Sequence, residues 1–179
     1  MYNTLLKNIV SVGAHKAGII NVCDIPFDPG LRELCISNQC GNYGKSWTCP
    51  PDVGDVHELM KKAKGYKHAL VFQTVSEIED SFDFDGMQQA LKHHEDVTNN
   101  IMELVHKEIS PPILQLSAGW CKICDICAKK ENKPCRHPGK AVASLEAYGI
   151  FVAKLAEKAG MKYINGVNTV TYFGAVLFN

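Results

Sequence analysis

The sequence CKICDIC at residues 121–127 places three thiols at successive three-residue steps. Cys135 follows in the same segment, and a second group of thiols lies far upstream. The candidate ligands are Cys35, Cys40, Cys49, Cys121, Cys124, Cys127 and Cys135. A C-x2-C-x2-C run brings its thiolates together when the backbone wraps round an iron-sulfur cluster, as in bacterial ferredoxins. We therefore expect a fold in which two distant cysteine loops meet.

The length and the cysteine usage indicate the type of protein. A chain of 179 residues is long enough for a single cysteine-rich domain, 1–179, whose hydrophobic core is stable without disulfide bonds. No continuous apolar stretch approaches the length of a membrane span, so we expect a cytoplasmic protein with no membrane partner. In a reducing cytoplasm thiols stay reduced, and clustered cysteines are then expected as metal ligands rather than as disulfides.

Charge and motifs exclude several other functions. Nineteen basic and nineteen acidic residues cancel, so nucleic acid is not an expected partner. The sequence contains no glycine fingerprint for a dinucleotide, no P-loop and no G-x-S-x-G elbow. The basic run from Lys129 to Lys140 is interpreted as a solvated loop, with a docking surface as the alternative.

Hydrophobic periodicity predicts an α/β or α+β fold, with a central sheet, flanking helices and two cysteine-rich loops that meet at one edge. Four helices are predicted: 4–17, 55–64, 83–109 and a segment that begins at Ser144. Gly18 is expected to end the first helix, Asp55 to cap the second, and Pro111 and Pro112 to follow the end of the third. Predicted strands cover 18–27, 68–75 and 112–120, and Asn165–Gly166 indicates a hairpin near the end.

The spacing of the cysteines bears on which metal they bind. Thiolates select zinc, copper(I) or iron-sulfur clusters. Structural zinc usually has two C-x2-C knuckles separated by a spacer, whereas three successive steps suit the neighbouring irons of a cubane. Seven thiols are also more ligands than a single metal ion binds. The pattern therefore favours one or two [4Fe-4S] clusters, with zinc as the alternative.

The sequence leaves two assignments of ligands to clusters open. One cluster takes Cys121, Cys124, Cys127 and Cys135, and the first group then binds a second cluster with a non-cysteine ligand or an open iron. Alternatively, Cys49 and Cys135 exchange clusters, as the fourth cysteine does in two-cluster ferredoxins. His137 is either an eighth ligand or an ordinary loop histidine.

Several other residues are interpreted mainly as structural. Cys23 is expected in the core of a strand, since free cysteine is among the most buried residue types. His93 and His94 are expected on the surface of the long helix. Glu146 and Tyr148 are candidates for proton transfer near an open iron, although a glutamate near a helix start usually complements the helix dipole.

Four strings carry a resemblance to a known family: CGNYGKSWTCPP at 40–51, AGWCKICDICA at 118–128, PCRHP at 134–138 and SLEAYGI at 144–150. They are similar to the signatures of the predicted metal-binding proteins grouped as domain of unknown function 2284, found mainly in anaerobic bacteria and archaea. The resemblance spans nearly the whole chain. It implies that the seven clustered cysteines are the ligands and that Cys23 is not, and it implies no particular reaction.

Three functions are therefore compared. The first is an electron carrier with iron-sulfur clusters, which exchanges electrons with a redox partner protein in anaerobic metabolism. The second is an enzyme whose open iron acts on a small molecule or a corrinoid-type cofactor. The third is a zinc-stabilised interaction module. The sequence leaves enzymatic activity and oligomeric state open.

Overall fold

A computed structural model, which describes residues 2–179, shows helices packed on a five-stranded sheet. The helices are α1 (Asn3–Ser11), α2 (Leu31–Ile36), α3 (Val56–Lys64), α4 (Phe84–Glu108) and α5 (Val152–Lys158). The strands are β1 (Lys16–Asn21), β2 (His68–Glu77), β3 (Leu114–Ser117), β4 (Ala143–Ser144) and β5 (Thr169–Phe178). Short 3-10 turns cover Val22–Asp24, Ala128–Glu131 and Glu146–Tyr148. This architecture confirms the predicted mixed fold with a central sheet.

The strand order is β1-β2-β5-β3-β4, and every neighbouring pair is antiparallel except the last. β3 and β4 run parallel, with Ser117 opposite Ser144. Parallel strands end at the same edge of a sheet. Two segments therefore start from the same edge of the sheet. One leaves β3 towards Cys121, and the other is the turn Glu146–Tyr148 that follows β4.

Both faces of the sheet are covered. On one face, Leu70 and Phe72 of β2 pack in a core with residues of α1 and α4. On the other face, Ala69 and Val71 pack with residues of α3, α5 and the turn Glu146–Tyr148. A strand buried on both sides has a continuous apolar sequence, which explains why the run at 68–75 predicted β2 correctly.

Local signals account for the two helices that were predicted best. The Asp55 carboxylate caps α3 and accepts hydrogen bonds from the amides of His57 at 2.9 Å and Glu58 at 3.2 Å. At the start of α4, the Asp83 carboxylate accepts the amide of Gly86 at 2.7 Å. In both helices a capping residue is followed by apolar residues at helical spacing, so the sequence predicted where each helix begins and ends.

The first predicted helix is too long. Gly13 has a φ of 116°, so α1 ends before it and the chain continues as β1, which includes Gly18. The prediction for Cys23 is also wrong, because this residue is exposed in the turn Val22–Asp24. The chain leaves the sheet after Asn21, and strand alternation no longer directs Cys23 inwards.

Two predictions for the end of the chain need correction. The helix expected to open at Ser144 starts only at Val152, because Gly149 adopts a left-handed φ of 68° and interrupts the backbone after a short turn. Asn165–Gly166 does not form a hairpin. It lies in the loop before β5, which pairs instead with β2 and β3 from much earlier in the chain. No helix within residues 2–179 is both long and apolar enough to cross a membrane.

Candidate metal centre

The second cysteine group surrounds one small cavity. Its walls include Cys121, Cys124, Cys127 and Cys135. The loop leaves β3, passes through the turn Ala128–Glu131 and then reverses at Asn132, whose φ of 53° is left-handed. This reversal returns the chain to the cavity at Cys135, so four thiols from one loop border the same space.

The first cysteine group lies at the end of α2 and in the loop that follows. Cys35 belongs to α2, whereas Cys40 and Cys49 lie further along the loop. Burial is the main reason why the pKa of the Cys49 thiol rises to about 11, and the neighbouring Cys40 and Cys35 thiols raise it further. Burial also raises the pKa of Cys35. At neutral pH, Cys35 and Cys49 therefore keep their protons until a metal displaces them.

The two cysteine loops meet at the segment Ser46–Cys49. The Ser46 and Thr48 hydroxyls lie 3.1 Å apart, and both are buried. Thr48 Oγ1 accepts the backbone amide of Cys121 at 3.2 Å. The indole Nε1 of Trp47 donates to the carbonyl of Lys133 at 2.9 Å. Residues just before Cys49 thus hold the second loop at two points, which agrees with the prediction that the loops meet.

Hydrogen bonds at Cys127 favour the thiolate. Burial raises the pKa of this thiol, but the backbone amides of Lys129 and Trp47 and the Ser46 hydroxyl donate to it. Together with the charge of Arg136 they outweigh burial, and the pKa of Cys127 is lower than that of an ordinary thiol. Such donors also stabilise a metal-bound sulfur, since it carries negative charge.

Other groups around the second loop are held in place too. The amide of His137 donates to Sγ of Cys135 at 3.4 Å, and the His137 residue borders the same cavity. Lys129 forms a salt bridge with Asp52 and lies 4.6 Å above the Trp47 ring. The basic run is therefore not uniformly solvated, because its first member connects the two loops.

The donor set fits a thiolate-bound metal group, although the site is not preformed. Within residues 2–179, no three His, Cys, Asp or Glu side chains converge closely enough to hold a metal ion. The space among the four thiols of the second loop is about 20 Å³, roughly what one water molecule needs. The loop must widen to hold a cluster, so part of the metal-binding free energy would go into rearranging it.

A buried histidine near this loop was not anticipated. His94 was predicted on the surface, but it is fully buried, whereas His93 is exposed. Its Nδ1 lies 2.9 Å from Thr74 Oγ1, and its Nε2 lies 3.2 Å from Ser117 Oγ. Burial, with a smaller contribution from the charge of His93, lowers the pKa of His94 to about 4, so the ring is neutral at pH 7.

This histidine connects the sheet to the second cysteine loop. It joins α4 to Thr74 on β2 and to Ser117 at the end of β3, shortly before Cys121. Ser117 and Cys121 also border a cavity of about 170 Å³. No local pattern could have revealed His94, since its partners come from distant parts of the chain. Ser46 and Thr48 did stand within a conspicuous motif, but their role depends on the folded loop.

Sequence comparison supports a metal-binding assignment. Residues 18–178 match the model of the family described as predicted metal-binding protein (DUF2284). No curated protein and no solved structure matches the chain. The match includes both cysteine loops and all five strands except the first two residues of β1.

Proposed function

Because this chain belongs to the predicted metal-binding protein family named domain of unknown function 2284, we propose that its two cysteine loops hold iron-sulfur clusters. The observation that carries this proposal is the cavity bordered by Cys121, Cys124, Cys127 and Cys135. It supplies four thiolates, the number that a [4Fe-4S] cluster takes. The first group supplies three more at a neighbouring position.

The arrangement favours separate ligand sets over exchanged ones. Cys135 borders the cavity of its own loop, and the pKa of Cys49 responds to Cys40 and Cys35. The four cysteines of the second loop would therefore bind one cluster, and the three of the first loop a second. His137 lies beside the second set, which already has four thiols.

The surrounding residues prepare the second loop for a charged group. Backbone amides and the Ser46 hydroxyl donate to Cys127, and the Arg136 charge lies near it. The Trp47 ring covers one side of the cavity and is fixed by its hydrogen bond to Lys133. These contacts would offset the negative charge of a bound cluster and limit the access of water to it. Both effects set the reduction potential of an iron-sulfur cluster. A bound cluster would supply one-electron transfer.

The role that follows is an electron carrier in the reducing cytoplasm of an anaerobe, with a redox protein as its partner. Exposed Ile123 and Ile126 lie beside the cysteines of the second loop, where a partner would approach. The three-thiol group supports a second candidate function, an enzyme that uses one open iron on a small molecule or a corrinoid-type cofactor.

Anaerobic purification tests the proposal. Iron and acid-labile sulfide should be present in equal amounts, with a brown absorption that dithionite bleaches. A colourless protein with stoichiometric zinc and no sulfide would instead support a zinc-stabilised interaction module. Adding candidate small molecules to the reduced protein then separates the two cluster functions, because only an open iron changes its electron paramagnetic resonance (EPR) spectrum on binding.

A further inference from the structure

A second, larger cavity adjoins the cavity of the second cysteine loop. Its volume is about 740 Å³, within the range of about 300–1,000 Å³ that small-molecule sites occupy. Trp47, Thr48, Cys135 and Ala141 border both cavities, so these four residues form a shared wall. A molecule bound in the larger cavity would therefore lie next to the candidate metal centre.

Much of the wall of the larger cavity is apolar. Leu114 and Leu116 come from β3, Ala143 from β4 and Met102 from α4. All four side chains belong to the buried core of the protein. The other walls come from the two cysteine loops, from α3 and from the turn Glu146–Tyr148. Such a surface favours a ligand that has an apolar ring or chain to bury.

The charged side chains in the wall are basic. Lys62 lies on α3, and Lys140 lies in the second cysteine loop. Among the described residues 2–179, neither lysine forms a salt bridge, and no aspartate or glutamate borders this cavity. Two ammonium groups without an acidic partner attract a negatively charged group.

Tyr148 supplies a hydrogen-bonding group that the protein leaves unused. The residue borders the larger cavity and is only 6% exposed. Burial raises the pKa of Tyr148, with a smaller effect from Tyr66, so the hydroxyl keeps its proton at neutral pH. In the part of the chain that the structure describes, residues 2–179, this hydroxyl has no hydrogen-bond partner. Glu146, the other candidate for proton transfer, borders a different cavity.

We propose that the larger cavity binds a small organic molecule that carries a phosphate group and an aromatic ring. Lys62 and Lys140 would bind the phosphate, because two ammonium groups match the charge of about −1.5 to −2 on a phosphate monoester at pH 7. Trp47 and the apolar wall would contact the ring, and the Tyr148 hydroxyl would donate to a polar atom of the ligand. This site goes beyond the iron-sulfur function and does not rest on it.

Equilibrium dialysis of the full chain against flavin mononucleotide (FMN) tests the site, because FMN joins an aromatic ring system to a phosphate. Riboflavin has the same rings without the phosphate, and ribose 5-phosphate has the phosphate without the rings. FMN should bind at least about tenfold more tightly than either. Lys62→Gln combined with Lys140→Gln should weaken FMN binding at least about tenfold and leave riboflavin binding unchanged. Tyr148→Phe should weaken FMN binding to a smaller extent.

Lys61→Gln combined with Lys130→Gln is the matched control. It removes two exposed lysines from the same segments, α3 and the second loop, and neither borders the cavity. This control should bind FMN as the wild type does. Three results would each overturn the proposal: no FMN binding to the wild type at about 1 mM, riboflavin or ribose 5-phosphate binding as tightly as FMN, or equal losses in the two lysine pairs.

The outcome is separate from that of the iron-sulfur proposal, because iron and sulfide are measured independently of FMN. A chain that carries clusters and does not bind FMN would overturn the ligand site alone. A chain that binds FMN and holds no iron or sulfide would overturn the cluster proposal alone. The substituted lysines are exposed, so the result does not depend on a buried change that disturbs folding.

Discussion

The backbone amide of Cys121 donates a hydrogen bond to Oγ1 of Thr48, 3.2 Å away. The two residues lie 73 positions apart in the chain, yet this bond joins the end of the first cysteine loop to the start of the second. Thr48 is buried, so water does not readily take its place. The bond is one of the contacts that make the two cysteine groups neighbours.

Thr48→Val should weaken this junction. The substitution keeps the shape of the side chain and removes the acceptor, leaving the Cys121 amide without its partner, at a cost of about 1–3 kcal/mol in the free energy of unfolding. Urea unfolding of the metal-free protein measures the loss, and iron analysis should show poorer retention. Thr48→Ser keeps the hydroxyl and should stay close to the wild type. Equal stability of the Val and Ser variants would contradict the role of this bond.

Cys124→Ser and Cys23→Ser should differ sharply in iron content. Cys124 borders the cavity of the second loop, and its loss should remove one whole cluster, or about four irons per chain. Cys23 is exposed in the turn Val22–Asp24, and its replacement should leave iron and sulfide unchanged. Iron and sulfide analysis after anaerobic reconstitution checks both. Equal losses from the two variants would argue against the assignment of ligands.

His94 should make the free energy of unfolding depend on pH below neutrality. Its pKa falls from 6.5 to about 4 in the folded protein, so the unfolded chain takes up the proton first as the pH drops. The associated stability is therefore complete above pH 6.5 and is lost progressively down to pH 4, by up to about 3 kcal/mol. Urea unfolding at several pH values measures the slope.

His94→Gln should flatten that part of the profile, since glutamine does not titrate. It should also lower the stability at pH 7, because the contacts with Thr74 and Ser117 are disturbed. His106→Gln is the matched control on the same helix, since its ring is exposed. If the profile of the His94→Gln variant is as steep as that of the wild type between pH 6.5 and 4, another group is responsible.

Gly174→Ala should destabilise the sheet. A Cβ at this position would lie 2.3 Å from Cζ of Phe72, the residue opposite it on β2. Phe72 is fully buried, so the ring has little room to move, and we expect a loss of about 1–3 kcal/mol in the free energy of unfolding. Thermal or urea unfolding measures it.

Two further variants separate this clash from a general effect of alanine. Gly18→Ala on β1 meets only ordinary contacts, the nearest at 3.4 Å, and should be close to neutral. Phe72→Leu combined with Gly174→Ala should cost less than the sum of the two single changes, because the smaller side chain leaves space for the new methyl group. Strict additivity would show that the contact with Phe72 is not the cause.

Much of the fold could be predicted because its elements follow local rules. α3 begins at a capping aspartate, and α4 combines a cap with a long apolar period. β2 is an unbroken apolar run. Two failures concerned helix bounds set by glycines with positive φ, Gly13 and Gly149, and the others concerned segments whose position depends on distant partners. Asn165–Gly166 has hairpin chemistry, but β5 pairs with β2 across almost a hundred residues, as in Thr169 opposite Glu77.

The candidate metal centre was likewise predictable only in part. The residue types and their three-residue steps are local properties, and they were sufficient to predict seven candidate thiol ligands and a cluster-type spacing. Which thiols share a cavity depends on how the loop turns at Asn132 and on where Thr48 meets Cys121. His94 was misplaced because only the packing of α4 against β2 and β3 buries it.

The amino-acid sequence by itself therefore determined the class of donor atom, the approximate helices and the strands with strong apolar patterns, since each depends on neighbours along the chain. Only the tertiary structure decided which thiols lie together, that Thr48 and Trp47 hold the second loop against the first, and that a neutral histidine supports the second loop. The physical reason is that hydrogen bonds and burial between distant segments form only when the sheet brings those segments together, and no local spacing records them.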